Sequence, residues 1–326
     1  YRLETILRLD PGRLDSRRKL VQVLTAMGRF RDAQEHLEQY LLKESPDDPE
    51  LLTQLGQCQR GLGQYERATT TFRRAIELKL DHFPAYAQLA GTYRYDLKQP
   101  EQGDEWITKM ILASADSVEV YTLAASYFYG AQNYSAALKW AEEAIKRDTS
   151  NVDMFLVAAD SSRRLEQFDS AEKYAQQAVN LAPERSDAYS VYAAIQSAQG
   201  QLPAAIKTLE TAVSKVKDKG PIYWTLAGMQ IDAGSFAEAE KTIKDLEGTS
   251  YPRAQVEFLR GRLLVGQQQW FLAARKLESV RPDVANSSDL VKQVDFLLGI
   301  CYAQMGNLDQ SLAAYSKAMT QDPLWP

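Results

Sequence analysis

The residues of this chain that could take part in acid, base or nucleophilic chemistry are few and scattered. Adjacent carboxylates occur at Asp47 and Asp48 and at Glu142 and Glu143, but no base, nucleophile or glycine-rich loop accompanies either pair. Two histidines in the whole chain are too few for a typical metal site. The nucleotide-binding glycine patterns, His-Glu-x-x-His and Gly-x-Ser-x-Gly are also absent from the sequence. We therefore predict no enzyme activity, no metal site and no cofactor.

Charge and hydropathy exclude two classes of partner. The 326 residues include 38 Lys and Arg against 43 Asp and Glu, a formal net charge of -5, whereas a nucleic-acid surface needs a basic stripe. The apolar runs are a few residues long, against the ~20 residues that span a bilayer. We therefore expect neither nucleic-acid binding nor direct membrane insertion. Balanced charge and only two cysteines fit the cytoplasm best and also a bacterial periplasm.

The elements that must position any functional side chain are short helices, and residues 49–80 show them most clearly. Small and apolar residues recur there at helical spacing, and Gly61 and Gly63 interrupt the period. The two predicted stripes are Leu52, Leu55 and Gly56, then Ala68, Phe72 and Ala75. The pattern predicts a helical hairpin. Because one such hairpin cannot bury its own apolar face, it predicts copies on either side.

These copies recur at spacings of 34 or 35 residues until the last spacing, which is 38. Nine repeats start near residues 14, 49, 83, 118, 152, 186, 220, 254 and 292. Residues 1–13 match the trailing second helix of a truncated repeat, and no polar capping helix follows the last repeat. We therefore expect one repeat array over residues 1–326, cut from a longer protein and able to self-associate through its uncapped ends. The polar, proline-bearing segment 281–288 is the expected bend.

The third repeat departs from the others near its turn. Elsewhere a small residue near the start of each second helix lets the paired helices approach closely. These small residues are Ala33, Ala68, Ala137, Ala171, Ala205, Ala239 and Ala273. The third repeat has Gln102 and Gly103 there, with Pro100 near the turn, so we predict that its second helix begins late and packs less regularly.

The pattern resembles the tetratricopeptide repeat, whose known period of 34 residues it matches. The second repeat carries this resemblance through Leu55, Gly56, Gly63, Tyr65, Ala68, Phe72 and Ala75. The ninth carries it through Leu298, Gly299, Tyr302, Gly306, Tyr315, Ala318 and Pro323. The resemblance implies an all-α fold, a right-handed superhelical α-solenoid of stacked antiparallel helix pairs. It also implies a concave groove built mainly from the first helices.

Within each repeat, the second, fifth, ninth, twelfth and thirteenth residues are expected to face that groove. Aromatic and arginine side chains at these places are typical interface anchors. The partner-binding candidates are Arg94, Tyr95, Tyr129, Arg163, Arg164, Trp224, Phe258 and Arg262. Two alternatives stay open. Arg163 and Arg164 also fit charges that stabilise a helix C-terminus, and Trp224 and Phe258 also fit packing between repeats.

We therefore predict a non-catalytic scaffold that binds a protein or an extended peptide in its groove. The alternative is a regulatory or substrate-recruiting arm of a larger enzyme or of a secretion or polysaccharide-export assembly. The resemblance allows this alternative, because the family contains both kinds of protein. Some members of the family hold a C-terminal carboxylate with lysines and asparagines. Gln22, Gln57 and Gly91 occupy the asparagine place here, which argues against that role.

Overall fold

The computed structural model describes residues 13–321, which form α-helices in consecutive pairs with no β-strand in that range. The predicted all-α fold of helix pairs is confirmed. The helices are α1 (Leu14–Ala26), α2 (Phe30–His36), α3 (Leu42–Glu44), α4 (Pro49–Gly61), α5 (Tyr65–Leu78), α6 (Phe83–Gly91), α7 (Pro100–Ala113), α8 (Val118–Gly130), α9 (Tyr134–Arg147), α10 (Val152–Arg164), α11 (Phe168–Leu181), α12 (Ser186–Ala198), α13 (Leu202–Val213), α14 (Gly220–Asp232), α15 (Phe236–Glu247), α16 (Arg253–Gly266), α17 (Trp270–Val280), α18 (Ser288–Gln304) and α19 (Leu308–Gln321). The predicted trailing helix of residues 1–13 lies, apart from Arg13, outside the described residues, as does the predicted uncapped end.

The turn within each pair closes in the same way. One residue adopts a positive φ, and the next donates its backbone N–H to a carbonyl near the end of the first helix, as Gln64 does to Gln59 over 2.9 Å. This is the Schellman arrangement, in which the left-handed residue favours glycine. Within residues 13–321 the left-handed residues are Gly28, Gly63, Lys98, Gln132, Glu166, Gly200, Gly234, Gln268 and Gly306. Each hairpin therefore reverses direction through one left-handed residue, although in the third repeat the closing hydrogen bond spans one residue more, from Gln99 to Tyr93.

Small residues bring the paired helices together, as expected. The seven alanines near the starts of the second helices are all fully buried. On the facing helix, a Cβ at Gly56 would overlap the ring of Phe72, and a Cβ at Gly299 would lie within 2.5 Å of the ring of Tyr315. An aromatic ring from the second helix thus occupies the space that a side chain on the first helix would need.

Contacts divide the chain into two compact units. We call residues 1–157 the N-terminal unit and residues 158–326 the C-terminal unit. The first repeats of the N-terminal unit share a core that includes Leu24, Leu37 and Cys58. In the C-terminal unit, a core cluster around Phe258 and Leu277 extends to the last helix pair.

The third repeat contains one additional residue near its turn. A π-helical segment, Thr92–Asp96, continues α6, and α7 begins at Pro100, 17 residues after Phe83. In the second repeat the corresponding distance, from Pro49 to Tyr65, is 16 residues. The second helix therefore begins one residue late, as predicted, although its 14 residues equal the length of α5.

The last repeat begins earlier than the sequence predicts. Its first helix α18 has 17 residues and starts at Ser288, four residues before the expected start near 292. Residues 281–286 form turns between α17 and this helix. A bend of the array at 281–288 stays a prediction.

Candidate partner-binding surfaces

Arg94 lies in the π-helical segment of the third repeat and is bound within the N-terminal unit. Its Nε donates to the hydroxyl of Tyr127 over 2.8 Å, and its guanidinium pairs with the carboxylate of Asp104. The Tyr127 hydroxyl donates in turn to Asp104 Oδ1 over 2.9 Å, and burial raises the pKa of Tyr127. The Arg94 side chain is only 17% exposed. It is therefore held rigidly, and a small part of it faces solvent.

Gly103 explains how this network fits between the helices. A Cβ at Gly103 would lie 2.8 Å from the carbonyl oxygen of Ala90 and against the Tyr127 hydroxyl. Glycine therefore replaces the alanine of other repeats because Tyr127 and Arg94 occupy that space. The absence of alanine at this position is therefore part of the packing around Arg94 and Tyr127.

The two tyrosine candidates differ in exposure. Tyr95 is 41% exposed, and its hydroxyl lies 3.3 Å from where a Cβ of Gly130 would be. Tyr129 is half-buried and makes an edge contact with Tyr134, with ring centroids 5.9 Å apart. Tyr95 is therefore the more accessible of the two.

Arg163 and Arg164 share one carboxylate in the C-terminal unit. Arg163 donates through Nε and Nη2 to Asp160 Oδ1, over 2.8 and 2.6 Å. Arg164 Nε lies 3.5 Å from Asp160 Oδ2, and its side chain is 49% exposed, against 21% for Arg163. Both residues also end helix α10, so the structure is compatible with the helix-terminus alternative as well.

The structure corrects the prediction that Phe258 lies on the partner-binding surface. Its side chain is fully buried, so it packs in the core and cannot contact a partner directly. Trp224 is half-buried and packs against Tyr251 and Phe258, at centroid distances of 5.8 and 6.0 Å. The packing alternative therefore holds for Phe258, whereas Trp224 both packs and reaches the surface.

Arg262 forms one wall of a small depression next to Trp224. Its Nη2 donates to Asp232 Oδ1 over 2.5 Å, which joins the eighth repeat to the seventh. The depression measures about 200 Å³ and is lined by Trp224, Thr225, Gly228, Met229, Asp232, Leu259 and Arg262.

A second arginine with the same setting was not among the predicted site residues. Arg60 Nε donates to Asp96 Oδ2 over 2.5 Å, and its Nη1 lies 3.5 Å from where a Cβ of Gly91 would be. Arg60 lies against Gly91 and Arg262 against Gly228, each glycine being the ninth residue of an adjacent repeat. An aspartate after each glycine, Asp96 or Asp232, binds the arginine. The signal in the sequence is this ninth-position glycine, read together with an aspartate four or five residues later and an arginine one repeat away.

Within residues 13–321, no group of three or more His, Cys, Asp or Glu side chains is placed to hold a metal ion. None of the described helices combines the length and apolar character needed to cross a membrane.

Comparison with known proteins identifies the repeat. Three tetratricopeptide repeat profiles match residues 24–92, 156–221 and 296–323. A tetratricopeptide repeat protein from Parabacteroides merdae ATCC 43184 is similar in structure, with 16% identity and a TM-score of 0.52 over 77% of this chain and 98% of that one. Yeast Tom70 has 17% identity and a TM-score of 0.61 over 85% of this chain and 59% of its own.

At these identities the structural likeness concerns the fold. A comparison with curated proteins gave no match. The profile matches, the helix pairs and the recurring turns agree with one another, and this chain is a tetratricopeptide repeat protein.

Proposed function

We propose that this chain is a non-catalytic scaffold that binds an extended segment of a partner protein on the surfaces of its first helices. The tetratricopeptide fold is typical of protein-interaction scaffolds and is generally non-catalytic. Stacked repeats present extended surfaces that suit such a role. The net charge of -5 favours a protein partner over nucleic acid.

The observation that supports this proposal most is the way the first-helix arginines are held. In the N-terminal unit, Asp96 holds Arg60 and Asp104 holds Arg94, so neither arginine must be ordered when a partner binds. Immobilising a flexible side chain costs roughly 0.5–1.5 kcal/mol on binding, and here folding has already met that cost. Tyr95 lies next to Arg94 and adds an exposed aromatic ring.

In the C-terminal unit, Arg164 is likewise paired with an aspartate, and its side chain is more exposed than those of Arg60 and Arg94. Asp160 pairs with both Arg163 and Arg164, and 49% of the Arg164 side chain is exposed. The exposed part of the Arg164 guanidinium suits an acidic or polar group on the partner.

A peptide selection tests the proposal. The immobilised chain would be panned against a random peptide library displayed on phage, and the enriched peptides would be measured on Tyr95→Glu and Arg164→Glu. We expect at least one variant to lose about tenfold in affinity, equivalent to about 1.4 kcal/mol.

Leu112→Glu is the matched control, because Leu112 is 77% exposed on the second helix α7. We expect it to bind the same peptides as the unmodified chain. Equal binding by all three variants would show that the first-helix surfaces are not used.

A further inference from the structure

We draw no further inference here: the strongest candidate, the exposed apolar stripe that Leu308, Leu312 and Met319 form along helix α19 of the C-terminal unit, carries no proposal because nothing in the described part of the chain shows what covers it.

Discussion

Arg281 holds the carboxylate of Asp295 with two hydrogen bonds, Nε to Oδ1 over 2.5 Å and Nη2 to Oδ2 over 2.8 Å. Asp295 is 1% exposed, whereas the Arg281 side chain is 38% exposed. Arg281 follows α17 and Asp295 lies in α18, so the pair fixes the start of the linker that precedes the last repeat. A two-point arginine–carboxylate contact of this kind is among the stronger polar interactions in proteins.

We predict that Arg281→Ala destabilises the C-terminal unit by about 2–3 kcal/mol, because it leaves the buried Asp295 carboxylate without a partner. The loss stays below that of a fully buried pair, since water already reaches Arg281. Urea unfolding followed by circular dichroism measures it.

The control for Arg281 is Arg29→Ala, which breaks an exposed pair with Asp32. Such surface pairs contribute about 0–1 kcal/mol. If both alanine variants unfold at the same urea concentration, the Arg281 contact does not stabilise the linker.

Within residues 13–321, four of the turns with a left-handed residue lack glycine, and substituting glycine there should stabilise the fold. Gln132 and Glu166 adopt φ values of 57° and 60°, a conformation that strains residues with a Cβ. We expect Gln132→Gly and Glu166→Gly each to raise the free energy of unfolding by about 0.5–1 kcal/mol. The reverse change, Gly200→Ala, should lower it, and thermal unfolding of all three variants checks the sign. A loss of stability in both glycine variants would contradict the prediction.

His82 should make stability depend on pH. Its side chain is buried, its Nε2 lies 2.8 Å from Thr53 Oγ1, and burial lowers its pKa against a smaller opposing effect of Glu50. The unfolded chain therefore binds the proton more readily, and the free energy of unfolding falls as pH decreases through the unfolded value of about 6.5.

The measurement for His82 compares urea midpoints above and below that pH in the unmodified chain and in His82→Gln. We expect the decrease at low pH to be smaller in the variant. The same decrease in both chains would mean that His82 does not contribute.

The contact of Gly56 with Phe72 predicts a coupled pair of substitutions. Gly56→Ala should destabilise the N-terminal unit by about 1–2 kcal/mol, because overpacking against the ring outweighs the gain of about 1 kcal/mol in helix propensity. Phe72→Leu should recover part of this loss when combined with Gly56→Ala. Chemical denaturation of the two single variants and the double variant measures the coupling, and strict additivity would contradict a direct clash.

Substitutions of Arg163 and Arg164 in α10 should affect stability and partner binding differently. Arg163→Glu places a carboxylate beside the buried Asp160 and should lower stability, whereas the more exposed Arg164→Glu should leave unfolding nearly unchanged. Both variants should weaken partner capture if the scaffold proposal is correct. Unfolding curves and peptide binding, measured on the same samples, distinguish the two effects.

Much of the fold is readable from the sequence because its determinants are local. The spacing of Leu55, Gly56, Ala68 and Phe72 predicts two helices and a turn, and the recurrence of that spacing predicts the neighbouring pairs. Helix periodicity and turn geometry depend on residues a few positions apart, so a linear pattern carries them. The left-handed turn at Gln132 was not predicted by composition, since it carries no glycine.

The candidate site was only partly predictable. Repeat positions selected Arg94, Trp224 and Arg262, whose side chains are partly exposed, but they did not reveal which carboxylate holds each arginine. Phe258 occupies an equally plausible position and is buried, because the side chains of α14 and α17 close over it.

The sequence by itself determined that this chain consists of paired helices, since periodicity is a property of neighbouring residues. Only the tertiary structure decided which side chains remain available to a partner. Contacts such as Arg262 with Asp232 join residues 30 positions apart, and Gly228 lies under the Arg262 guanidinium that the next repeat supplies. Such contacts follow from how whole helices pack, which no local pattern specifies.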